Sequence, residues 1–280
     1  MPAFDTPEPI SVTAHVGAGS IRFTASDRRD TVVEVRPGNP KRDKDLRAAE
    51  QTEVTYVSGV LTVRTKERRL IGPTGSVAVA VALPTGSHVD LTGSWTQVLG
   101  EGRLGEVKLK TSGGDVRLEA TGPLRLTASH CSITVDQVEG NAEITSSSGS
   151  LRVGTVEGAA VLKNSHGTTT VGAVIGDLRV SGAHGDVDIA RAESSVAAAT
   201  AHGALRVADV ARGTVQLETN YGAIEVGIRE DTAAWLDVSS THGQVRNRLA
   251  ASEAPEQTEE TVKVRARTNW GTIDVLRAKA

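Results

Sequence analysis

The sequence predicts an all-β fold, a single-stranded parallel β-solenoid of about nine coils of about 18 residues with an N-terminal β cap. Three observations predict it. Between residues 96 and 203 the chain repeats about every 18 residues around an anchor: Gly114, Cys131 in the glycine's place, Gly149, Gly167, Gly185 and Gly203. Around each anchor, apolar residues recur at a spacing of two, the strand period. Aromatic residues make up only 2% of the chain beside 29 glycines, which suits a thin aliphatic core better than the core of a large globular enzyme.

Residues 1–86 are rich in strand patterns but out of phase with the repeat: ISVTAHV, SIRFTAS, TVVEVRP, EVTYVSGVLTVRTK and SVAVAVALP. They are expected to form the cap, because an open coil end exposes unpaired strand edges. Charged stretches at 37–51 and 66–73 read as solvated loops, the first with room for a helical turn. Residues 87–280 read as the solenoid proper. Counted from the anchor, positions +2 and +4 are apolar (Leu151/Val153, Val187/Ile189, Leu205/Val207), as are −7 and −5 (Leu124/Leu126, Leu178/Val180, Val215/Leu217). Each coil therefore holds two half-buried strands joined at the anchor. A third apolar position at +7 (Val138, Val156, Val174, Val210) suggests a short third side. It is followed by Gly140, Gly158, Gly176 and Gly213, expected to turn the chain through positive φ.

Position −3 is small or polar in every coil, from Thr111 to Thr268, as expected where backbones pass close together. The apolar intervals do not follow the six-residue rule of left-handed acyltransferase helices, which favours a right-handed or irregular coil and leaves the handedness open. Beyond Gly203 the anchors are Gly222, Gly243 and Gly271, and a surface insertion at 250–260 accounts for the last jump. The final coil then ends at Val275, which predicts either capping by 250–260 or end-to-end self-association of the chain.

Net charge is −3, so no global excess of positive charge calls for nucleic acid or an anionic membrane. The longest apolar run, VAVAVAL at 77–83, is too short to span a bilayer. A single cysteine excludes an intrachain disulfide framework. The opening MPAFDTPEPISVTAHV has no basic segment followed by an apolar one, and a cytoplasmic location is the expectation.

The recurring pattern of small residue, His or polar residue, Gly, any residue, aliphatic, any residue, aliphatic reads here as SHGTTTV, AHGDVDI, AHGALRV, NYGAIEV and NWGTIDV. In this the chain resembles a bacterial family of β-strand-repeat proteins labelled putative adhesin or domain of unknown function. The opening TPEPISVTAHVGAGSIRF is similar to actinobacterial members without a signal peptide. The resemblance implies the repeat fold and carries no catalytic residues to transfer.

Candidate chemistry centres on a histidine column. His130, His166, His184, His202 and His242 immediately precede anchors, and Trp95, Gly113, Ser148, Tyr221 and Trp270 hold the same phase elsewhere. With coils about 4.8 Å apart, His166, His184 and His202 should form a ladder. Two neighbouring imidazoles could share a metal ion at about 2.0–2.1 Å, with Asp186 near enough to add a carboxylate. A third, two coils away, could not join them. The other occupants of the phase favour a stack of turn-lining rings instead, and a pH-responsive surface is the third reading.

GEGRLG at 100–105 matches the dinucleotide-binding pattern as text, but a strand follows where that pattern needs a helix. Cys131 beside His130 is not a catalytic dyad, since adjacent strand residues point opposite ways, and it is expected to be a structural thiol. Arg117, Arg152, Arg206 and Arg246 share position +3 with Asp188, Glu225 and Asp274, a mixed solvated face without the aromatic residues that single-stranded nucleic acid needs. The resulting expectation is a non-catalytic cytoplasmic interaction or scaffold module with a protein partner, no cofactor, no nucleic acid and no membrane. Its rivals are a metal- or pH-responsive protein using His166, His184 and His202, and a carbohydrate-active β-helix enzyme.

Overall fold

Hydrogen-bonded parallel rungs, set one residue phase against the same phase of the next, build both compact units of the chain, Met1–Glu139 and Gly140–Ala280. The fold is the all-β parallel solenoid that the repeat predicts. The computed structural model describes residues 2–65, 75–230, 232–249 and 260–279. The loop read at 66–73 and the insertion read at 250–260, apart from Glu260, lie outside these residues.

In the first unit, Ser11–Ser26 runs parallel to His88–Leu104 along most of its length, so residues ahead of the repeat supply a rung of their own. Val107–Gly113 and Leu124–His130 stack on that rung in turn. The antiparallel pairs lie among the early strands: Asp30–Pro37 with Val77–Pro84, and Thr52–Val57 with Val60–Thr65. The 37–51 stretch is less solvated than its charge suggests. Asp43–Glu50 is a helix, and buried Asp45 accepts backbone N–H bonds from Asn39 at 3.1 Å and Ser76 at 2.9 Å, which pins it down. The GEGRLG text lies across the end of strand His88–Leu104, at a shift in register, with a strand after it.

In the second unit every described rung but 232–247 buries the predicted columns. Leu178 and Val180, Val187 and Ile189, and Val174 and Val210 line three sides of a buried aliphatic core. The corner at the anchor demands glycine twice over. Gly185 has φ +135°, and a Cβ on it would lie 2.2 Å from the carbonyl oxygen of Gly167 in the neighbouring rung. The predicted positive φ at the second turn holds at Gly140 and Gly213, whereas Gly158 and Gly176 are not in that region. There the reason is contact: a Cβ on Gly176 would come within 2.7 Å of the Gly158 backbone.

The small polar residues at −3 turn inward and cap the corner of the adjoining rung. The Asn164 side-chain amide donates to the Gly149 carbonyl at 3.0 Å, and Thr219 Oγ1 donates to Gly203 at 3.1 Å. Thr268 Oγ1 donates to Gly222 at 3.0 Å, and Ser240 Oγ to Gly271 at 2.8 Å. A buried carbonyl left unpaired at such a bend would cost about 1–3 kcal/mol, which explains the small hydrogen-bonding residue in most coils.

The last two of these bonds reveal a departure from sequence order. Glu260–Trp270 is parallel to Gly213–Tyr221 on one side and to Thr232–His242 on the other. Ile273–Arg277 stands likewise between Ile224–Ile228 and Val245–Asn247. The coil read as final is thus slotted inside, and among the described residues rung 232–247 forms the end. Asn247 gives the physical reason. It holds position +4, where Val153, Ile189, Val207, Val226 and Val275 are buried, and an interior rung would trap its amide in the aliphatic core. At the end it is exposed, and Leu236 and Val238 are only half-buried. Native-state hydrogen exchange is expected to release the amides of 232–247 well before those of 260–277, in reverse of chain order. Equal protection of the two rungs would contradict this arrangement.

Candidate functional site

The parallel register gathers the residues that precede the anchors into a line. In space the order is His166, His184, His202, Tyr221, Trp270 and His242, because the slotted rung puts Trp270 between Tyr221 and His242. Ring centroids are 5.0 Å apart for His166–His184, 4.8 Å for His184–His202 and for His202–Tyr221, and 4.0 Å for His242–Trp270. Interplanar angles of 6–11° make these face-to-face stacks. Strand alternation would send this phase inward, as it does −3, −5 and −7. The chain turns the corner here instead, and all of these rings are exposed.

Tyr221 and Trp270, which appear as interruptions of a histidine track, themselves stack on histidines of the column, Tyr221 on His202 and Trp270 on His242. Gly113, another break in the column, has its own cause in the first unit: a Cβ there would lie 2.5 Å from Trp95 Cε3, so the indole of the neighbouring rung occupies the space. Stacked imidazoles present faces to each other, while their lone pairs run parallel in the ring planes. His166, His184 and His202 would have to rotate to converge on an ion. Among the described residues no three His, Cys, Asp or Glu side chains gather as a metal site.

Charge in this unit is organised along the axis. Arg206 lies between Asp188 at 3.7 Å and Glu225 at 3.1 Å, so opposite charges pair from rung to rung in this part of the +3 column. A tighter cluster closes the third side. The Arg229 guanidinium grips Glu193 at 3.0 and 3.1 Å and Asp209 at 2.6 and 3.1 Å, tying together turns of three successive rungs. Hydrogen bonds from Arg229 outweigh desolvation and, with Arg191, hold the Glu193 carboxyl down at about 2. Cys131 is buried and free, and desolvation, with Asp115 nearby, pushes its thiol up to about 11, which leaves it protonated and unreactive at neutral pH.

The model of the family Toastrack DUF4097 matches residues 9–276. The chain belongs to the Toastrack family. Solved structures similar to this Toastrack chain include a putative adhesin from Parabacteroides merdae, 16% identical, with a TM-score of 0.45, covering 79% of this chain and 92% of that one. A putative adhesin from Bacteroides fragilis is 12% identical, with a TM-score of 0.32 and coverage of 98% and 95%. A protein from Parabacteroides distasonis named as a putative lipid binding protein is 8% identical, with a TM-score of 0.25 and coverage of 99% and 96%. No curated protein matches the sequence at a significant level.

Sequence reading found the Toastrack ring column but missed the Arg229 clamp, whose members lie 16 and 20 residues apart and share no motif. Two outcomes follow. Removing the clamp with Arg229→Met should lower stability at pH 7 by about 1–2 kcal/mol, read by thermal melting. The wild type holds the stabilisation of Glu193 above its ordinary value of 4.5 and loses it as pH falls towards 2, so the gap between the two proteins should shrink over that window. Zn²⁺ should leave the melting temperature unchanged, and a rise abolished by His184→Ala would show that the rings turn to share an ion.

Proposed function

We propose that this Toastrack chain is a non-catalytic protein-interaction module whose contact surface is the ring column His166, His184, His202, Tyr221, Trp270 and His242. The allocation of its aromatic residues carries the proposal. The chain has three Trp, two Tyr and two Phe. It leaves Trp95 66%, Trp235 65%, Tyr221 52% and Trp270 50% exposed, rather than using them as core. Large rings held rigid by stacking lose little freedom on contact, and Trp and Tyr dominate the energetics of protein interfaces.

The stack also braces the corner, and the double variant Tyr221→Ala/Trp270→Ala separates bracing from binding. The immobilised wild-type chain, cross-linked in a lysate of its source cells, should capture a protein partner identifiable by mass spectrometry. The double variant, folded by circular dichroism, should capture it at least about tenfold less, the scale of a lost hot spot. Glu225→Ala, on a neighbouring face, should capture normally. Equal capture by all three proteins would overturn the reading.

A further inference from the structure

At the opposite end of the same strands from the ring column lies a feature with a different chemistry. Two half-open hollows, each about 340 Å³, share Thr214 and Gln216 and so form one groove across the outer face of successive rungs. The floor is opened by short side chains. Ala197 takes an outward strand position that alanine seldom fills, and it stands in register between Arg179 and Gln216. The end of the groove is walled by Trp235, whose indole makes no ring contact among the described residues and is 65% exposed.

The groove holds unspent positive charge. Both of its carboxylates are engaged: Asp177 accepts from Ser194 Oγ at 2.6 Å, and Asp237 accepts from Arg265 at 3.3 Å and Arg267 at 2.6 Å. Arg179 and Lys263 line the same groove, and among the described residues neither forms an ion pair or a side-chain hydrogen bond. They stand three rungs apart, about 14 Å at about 4.8 Å per rung.

Backbone chemistry selects the occupant. The rungs under the groove, apart from the end rung that carries Trp235, spend their N–H and C=O groups on parallel neighbours to both sides. A peptide lying along the axis would find no backbone partners and would bury its own polar groups unpaired. A sugar chain asks only for side-chain donors and acceptors and for an apolar surface beneath its ring. One platform in a chain of net charge −3 does not suit nucleic acid.

We infer that the groove from Arg179 to Trp235 binds a linear acidic polysaccharide. One sugar ring rests on the Trp235 indole, Thr214 and Gln216 take hydroxyls, and Arg179 and Lys263 take carboxylates. This site is independent of the ring column.

Affinity electrophoresis of the full chain in native gels containing polygalacturonate, alginate or hyaluronate tests the assignment, with neutral dextran and poly-glutamate as comparators. At least one acidic polysaccharide should retard the wild type, less so at high salt, and neither comparator should. Trp235→Ala should weaken the retardation about tenfold, as expected for loss of an aromatic platform. Arg179→Ala/Lys263→Ala should weaken it similarly and remove most of its salt dependence. Trp270→Ala should bind the polysaccharide normally, so failure of the ring-column proposal and failure of this one are distinguishable. No retardation by any acidic polysaccharide, equal retardation by poly-glutamate, or undiminished binding by folded Trp235→Ala would overturn the inference.

Discussion

One hydrogen bond, repeated from rung to rung, governs the second unit: the anchor glycine N–H donates to the carbonyl of the ring-bearing residue in the next rung. Gly167 donates to His184 and Gly185 to His202, both at 2.8 Å, and Gly203 donates to Tyr221 at 2.9 Å. The bond brings two backbones together at a bend. Any Cβ at Gly185 would strike the neighbouring carbonyl, so the corner admits a residue without one. Because the bond fixes register to a single residue, each phase of the repeat stands on its own kind. The aliphatic columns, the inward hydroxyls and the ring column are three consequences of the same alignment.

The slotted rung shows how firmly that rule holds. Gly222 donates to Trp270 at 2.9 Å and Gly271 to His242 at 3.3 Å, so the column passes through a break in chain order without losing its phase. Position in the stack is decided by which rung can tolerate water. Rung 260–277 brings Val262, Val264, Ala266, Ile273 and Val275, a complete aliphatic set, and takes the interior. Rung 232–247 brings Asn247 and takes the end, where an amide can be hydrated.

The outer faces divide the labour. The +3 face neutralises itself through Arg206 between Asp188 and Glu225, as an ordinary solvated surface does. The Arg229 clamp spends its charge on structure. The ring column and the Trp235 groove are different in kind: each keeps large aromatic rings out in solvent, where they add nothing to the core. Apart from the end rung, both lie on strands whose inner faces are buried in the aliphatic core.

Much of this was legible from residues alone, because a solenoid writes its contacts at a fixed period. The spacing of Gly149, Gly167, Gly185 and Gly203 determined the parallel coil, and the apolar pairs beside them determined which faces are buried. The histidines of the ring column were visible at one phase, although Tyr221 and Trp270 looked like breaks and Gly113 looked like a gap. What only the tertiary structure decided is non-local. That Trp270 lies between Tyr221 and His242, that Arg229 reaches Glu193 and Asp209, and that Ala197 lies in one groove with Trp235 all depend on which rungs become neighbours. A period specifies how rungs stack but not in what order, and the order seen keeps the Asn247 amide in water and the complete aliphatic set of 260–277 inside.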